Sequence, residues 1–299
     1  MTTNLRNYTA LVFFTTLTFA FSWVMWWTPV PEYLGIDPVT AGLIGAFGPS
    51  LSGLLTVAAF AGRRGVTSMV ARLKIWRIHP KWYVFVLFYP LALWLSLTVV
   101  HVIMGGSWPD YSTPLFVTEY PIPDEIKGSG FIYFIPIVFI QQTLIGSSMG
   151  EELGWRGFAL SDMQKKWGAT MASLILGLIW GIWHLPLALN PDDIRSQTPF
   201  LFTLLGTIAS AVLFTWVYNH TRNSLFLALL FHTGLNMPYL FLALPDFNNY
   251  LVLVGSWLLP VFLIVYSRGR LGYHISEPES DLFDDFRVET THTKHDLPV

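Results

Sequence analysis

Three short stretches of this chain hold side chains that could do chemistry, and each is embedded in apolar sequence. The first is Glu151-Glu152-Leu-Gly-Trp-Arg156. Residues four apart share a helical face, so Glu152 and Arg156 can pair. Glu151 points about 100° away, toward a different neighbour. Two adjacent carboxylates in a low dielectric cannot both ionise cheaply. The one paired with Arg156 stays anionic, which leaves Glu151 as the candidate general base or acid. The second stretch is Trp180-Gly-Ile-Trp-His184, with Trp180 and His184 on one face. The third is His232-Thr-Gly-Leu-Asn236, again an i, i+4 pair. His and Asn side chains can donate hydrogen bonds to a developing oxyanion. Each stretch also has a structural reading: interfacial charges that snorkel, a packed histidine, or polar groups that glue helices together. Three clusters on three segments, each built on one face, is how helix bundles assemble internal sites. A water held between a Glu and a His could attack a peptide carbonyl while His232 and Asn236 hold the oxyanion.

The elements that carry these residues follow from composition. Of 299 residues, 53% are hydrophobic and 12% charged, with 13 Trp and 23 Phe. Soluble domains carry about 25% charged residues. A chain this poor in charge cannot cover itself in water, and aromatic rings favour membrane interfaces. The expected fold is all-α, a polytopic transmembrane helix bundle of about eight spans. Candidate spans of about 20 apolar residues lie near 8–28, 41–61, 82–104, 130–156, 171–189, 198–219, 223–243 and 249–267. The run from Tyr8 to Trp27 is too long for a signal-peptide core and ends in Trp-Trp-Thr-Pro, so it reads as a retained first span. Net charge is −2, which gives no basic field for nucleic acid. Cysteine is absent, which excludes disulfides, thiolate zinc sites and a Cys nucleophile.

Charge placement gives an expected orientation. Arg63, Arg64, Arg72, Lys74, Arg77, Lys81, Lys165, Lys166, Arg222, Arg268 and Arg270 fall in alternate connections. The opposite loops hold Lys127 and Arg195 among many acidic residues. The positive-inside rule then puts both termini in the cytoplasm. Segment 63–81 interleaves basic and apolar residues and reads as an amphipathic surface helix on anionic membrane lipid. The expected division is 1–129 as three N-terminal spans, 130–267 as the catalytic membrane core, and 268–299 as a disordered acidic tail.

The order E-E-x-x-x-R, aromatic-x-x-x-H, H-x-x-x-N, with Arg156-Gly-Phe after the Glu pair, resembles the CPBP (Abi) family between about Gln142 and Tyr239. That family includes the type II CAAX prenyl endopeptidases. One departure is Trp180, where the family usually has Phe. The resemblance implies an intramembrane endopeptidase acting on membrane-associated peptides or proteins, CAAX-type prenylated ones among them. It implies that Glu151 activates water with His184, that His232 and Asn236 hold the oxyanion, and that Glu152 and Arg156 support the site. Zinc stays open at this point. Two His and a Glu can ligate it, yet H-E-x-x-H is missing and a Glu/His/Asn set works without metal. Three rival readings also stand. One is a proton-coupled transporter, since buried Glu and His also form relays. Another is a non-catalytic immunity or scaffold protein. The third is a serine peptidase using Gly146-Ser-Ser-Met-Gly150 with His232 as base.

The orientation is tested with reporter fusions. A reporter placed after Asp110 should read extracytoplasmic and one after Arg270 cytoplasmic; a cytoplasmic signal at Asp110 reverses the assignment.

Overall fold

The computed structural model describes residues 2–108, 133–242 and 248–273, and every regular element among them is helical. In order they are α1 (Thr2–Trp27), α2 (Val30–Tyr33), α3 (Pro38–Ala46), α4 (Gly48–Ala71), α5 (Pro80–Ile103), α6 (Ile135–Leu144) and α7 (Ser147–Glu152). A π-helical turn (Leu153–Leu160) leads into α8 (Ser161–Trp183), then α9 (Leu185–Leu189), α10 (Phe200–His220), α11 (Leu225–Leu242) and α12 (Asn249–Tyr266). The protein is a multi-pass membrane helix bundle. Six helical stretches are long and apolar enough to cross a bilayer: Tyr8–Trp27, Pro38–Lys74, Pro80–Ile103, Phe200–His220, Leu225–Leu242 and Asn249–Tyr266.

The two expected spans missing from that set carry Glu151, Glu152, Arg156 and His184. Segment 130–156 does not form one long helix. It breaks between α6 and α7 at Gly146, whose backbone is extended at φ −87° and ψ −161°. Gln141, Gln142, Ser147 and the Glu pair dilute its apolar character. Residues 109–132, which include the expected start of this span, lie outside the described residues. Segment 171–189 is likewise interrupted. Helix α8 stops at His184, and Pro186 opens α9, where its missing N–H costs nothing.

Two glycines turn the chain sharply. Gly62 (φ 65°, ψ −167°) and Gly168 (φ 72°, ψ 169°) occupy backbone space that only glycine enters freely. Near them the basic segments meet at one end of the bundle. Arg72 donates to Ser161, Tyr218 and the Gly157 carbonyl, Arg222 to the Arg77 carbonyl, and Thr170 to the Gly269 carbonyl.

Segment 63–81 differs from the expected surface helix. It is helical only to Lys74, because His79 and Pro80 start α5 afresh. Its apolar side packs on protein: Met69 is fully buried, and Val66, Leu73 and Ile78 lie against the core. Residues 268–273 of the expected tail are structured. Leu271 is fully buried and its carbonyl accepts from Asn219, so order extends to Tyr273. Residues 274–299 lie outside the described set.

The site segment is seated by close backbone approach. A Cβ at Gly53 would lie 2.8 Å from Gly154 Cα, and one at Gly150 would lie 2.6 Å from the Ala46 carbonyl oxygen. At Gly154 a Cβ would run into the Pro49 backbone. Glycines at 150 and 154 therefore let α7 and the π turn press against α3 and α4. Small residues play this part where no hydrophobic effect drives helices together. Across the bundle, Gly234 meets the Val86 carbonyl in the same way and seats α11 on α5. Replacing Gly154 by valine should therefore cost about 1–3 kcal/mol through overpacking and lower the melting temperature in detergent. Gly206→Ala, where a Cβ meets nothing within 4 Å, should melt like the parent.

Candidate active site

Glu151 and Glu152 end α7, and the chain widens at once into the π turn, whose eight residues are all buried. Such π turns are frequent at functional sites. The two carboxylates and Arg156 are 2%, 0% and 0% exposed. Charges this deep persist only when paired.

Arg156 Nη1 donates to Glu152 Oε1 at 2.7 Å, the pairing expected from the spacing. The guanidinium carbon also lies 4.6 Å from the Trp180 ring centroid and 3.6 Å from that of Phe214. Aromatic faces favour a cation, and more so where water is excluded. Glu152 Oε1 accepts a second hydrogen bond, from His232 Nδ1 at 2.7 Å. A carboxylate on Nδ1 fixes the ring orientation and leaves Nε2 free to act. That Nε2 faces Glu151 Oε1 at 3.9 Å. The gap is too long for a direct hydrogen bond, but one oxygen atom can lie within bonding distance of both.

Glu151 is held from its other oxygen. Trp180 Nε1 donates to Oε2 at 2.7 Å and Trp155 Nε1 to the same atom at 3.3 Å. The sequence reading left Glu151 without a partner. Trp155 is four residues on, so helical spacing carried a signal for it. The contact from Trp180 bridges segments 29 residues apart and had none.

His184 sits at the end of α8, half-buried, its ring 4.7 Å from Trp183 and 5.9 Å from Trp180 between centroids. A backbone carbonyl can only accept, so Nδ1 carries its proton toward Trp180 O at 3.0 Å, and Nε2 is the free acceptor. Helix α1 steadies this end, since Trp23 Nε1 donates to the Trp183 carbonyl at 3.0 Å. Among the described residues no hydrogen bond or ion pair joins His184 to Glu151; the histidine nearest that carboxylate is His232. Asn236 lies one turn beyond His232, and its Nδ2 donates to Ser147 Oγ at 3.0 Å. Ser148 and Thr143 bond to Thr233, each at 2.9 Å, and tie α6 and α7 to α11. Ser147 and Ser148 thus serve Asn236 and Thr233, and neither bonds to His232 as a serine nucleophile would. Glu151, Arg156, His184 and His232 each contact Trp180, and Glu152 joins Arg156 and His232, whereas Asn236 bonds at the first residue of α7.

The donors do not fit a three-ligand zinc site. Among the described residues no three His, Cys, Asp or Glu side chains stand close enough to share one ion. Zinc sites with an open position use three protein ligands.

Comparison with known proteins bears on the same region. Residues 132–238 match the family model described as "Type II CAAX prenyl endopeptidase Rce1-like". "CAAX prenyl protease 2" of Methanococcus maripaludis is 28% identical over 141 residues, which are 45% of this chain and 51% of the relative. A "UPF0397 protein" of Lactobacillus johnsonii is 27% identical over 120 residues, 36% of this chain and 64% of the relative. The chain thus spans between half and two thirds of the curated relatives it matches.

The double role of Glu152 gives a stability prediction. Glu152→Gln leaves Arg156 buried without a counter-charge, which should cost about 3–5 kcal/mol and appear as a lower detergent melting temperature and poor expression. Replacing both by a hydrophobic pair (Glu152→Leu with Arg156→Met) should recover much of the melting temperature.

Proposed function

We propose, from the match of residues 132–238 to the type II CAAX prenyl endopeptidase model, that this chain is a CAAX-protease-like intramembrane endopeptidase whose general base is Glu151. The observation that carries this reading is the facing pair of Glu151 Oε1 and His232 Nε2, 3.9 Å apart and buried, each anchored through its other polar atom. A water between them gives its proton to Glu151 and attacks the scissile carbonyl. His232, carrying protons on both ring nitrogens, donates through Nε2 to the oxyanion as it forms while Nδ1 stays on Glu152, and Asn236 Nδ2 donates beside it, in a setting where such donors are worth far more than in water. Glu151 then passes its proton to the leaving amine. His184 offers Nε2 to the second hydrogen of the water. Glu152 and Arg156 form the fixed charge pair that aims His232. No step is assigned to a metal.

The substrate class we propose is a peptide held at the membrane, with prenylated CAAX-type tails as its leading members. A site enclosed by apolar helices receives such chains more readily than a soluble polypeptide. A lipid anchor also raises the local concentration of peptide at the bilayer.

The test is cleavage by the purified protein in liposomes of farnesylated and unmodified CAAX peptides and of a general peptide library. Glu151→Gln should lower kcat by about 10²–10⁴-fold, the usual contribution of a general base, while the melting temperature stays near that of the parent. A dead, well-folded Glu152→Gln beside an active Glu151→Gln would reverse the two roles. Cleavage by both at the parental rate overturns the mechanism. A protein that cleaves nothing but moves protons or solute down a gradient is a carrier instead.

A further inference from the structure

Trp180 touches more of this site than any pairing rule requires. It is 6% exposed and lies one turn before His184. Its indole N–H donates to Glu151, its face covers the Arg156 guanidinium, and its ring stands 5.8 Å from His232 at 64°. Its carbonyl accepts from His184.

The charges around Glu151 show why such a residue is needed. Glu152 and Arg156 come from its own segment, and His232 from α11. Arg156 uses only Nη1 for Glu152; its Nε and Nη2 are buried with no hydrogen-bond partner. In a low dielectric an unpaired carboxylate is drawn strongly toward a neighbouring unsatisfied guanidinium. A Glu151 captured by Arg156 would turn away from His232 and lose its water. Two features of Trp180 oppose that capture. The N–H holds Oε2, and the ring face covers the side of the guanidinium that it stacks on. Trp155 adds a longer bond to the same oxygen. Oε1 is then the oxygen left to face His232.

We propose that Trp180 is a positioning residue that separates the two carboxylates by role: its indole N–H keeps Glu151 off Arg156 and aims Oε1 at the water site beside His232. This rests on Glu151 being the general base. A phenylalanine at this position would keep the ring face but could not donate.

Two variants isolate the N–H. Trp180→Phe removes it with part of the ring. Replacing Trp180 by benzothienylalanine, in which sulfur stands for the N–H, removes it and keeps the shape. With a quenched farnesyl-CAAX peptide in liposomes, both should lower kcat by about 10- to 100-fold, the scale of one hydrogen bond to a charged group. KM should stay within about twofold, since the bond touches no substrate. Difference ultraviolet resonance Raman spectra, parent minus Trp180→Phe, should show a strongly hydrogen-bonded indole, and that signature should weaken in a Glu151→Leu background. Parental kcat in the benzothienyl variant overturns the proposal, as does a rise in KM alone, a failure of that variant to fold, or an indole signature indifferent to Glu151. These results leave the general-base reading intact as long as Glu151→Gln is inactive. An active Glu151→Gln removes the base itself, whatever Trp180 does.

Discussion

The bundle is organised around a cost: two carboxylates and a guanidinium are buried away from bulk solvent. Moving such ions out of water costs several kcal/mol apiece even after relaxation. The structure offsets it with converging contacts. Glu152 receives Arg156 and His232, Glu151 receives two indoles, and Arg156 lies against two aromatic faces. Almost every other feature serves that convergence. Gly150 and Gly154 bring the charged segment against α3 and α4, Gly234 seats α11, and α1 steadies the end of α8.

The same cost explains which elements are irregular. Of the six long apolar stretches only Leu225–Leu242 carries expected site residues, His232 and Asn236, and their i, i+4 spacing puts both on one face of a regular helix. The segments that carry Glu151, Glu152 and His184 are broken at Gly146, widened over 153–160 and stopped at His184. Irregular backbone at membrane depth is tolerated where it is enclosed by protein. Here the irregular backbone lies among buried residues, with neighbouring side chains and carbonyls in contact.

Much of this was legible in the sequence. The charge deficit and apolar runs gave a membrane helix bundle, and i, i+4 spacing gave the Glu152–Arg156 pair and the His232–Asn236 face. The order of motifs pointed to the family that residues 132–238 match. What escaped was set by contacts between distant segments. That His232 would bond to Glu152, 80 residues away, cannot be read from periodicity. Nor can the Asn236–Ser147 bond, 89 residues apart. That the helix expected over 130–156 is broken at Gly146 escaped for a different reason. Mean hydropathy sees the apolar residues but not that Gly146 sits where a run of polar side chains must turn toward one point. The 63–81 segment misled in the opposite way. Its amphipathic pattern was real, but its apolar side found Gly157 and the core.

The broken charged segment also constrains how the protein is made. Residues 147–160 carry two acids and a base and are shorter than a bilayer is thick. Presented alone to the insertion machinery, each charge at mid-depth would weigh against entry by about 2.5–3.5 kcal/mol. Arg156 pairs with Glu152 within the segment, but the outside donors to the two carboxylates, Trp180 and His232, are translated later. Biogenesis must therefore hold the segment at the interface, or shelter it beside α1 and α4, until α8 and α11 have emerged. The charged centre is among the last parts of the molecule to reach its final depth, so assembly of the bundle and assembly of the site are one event.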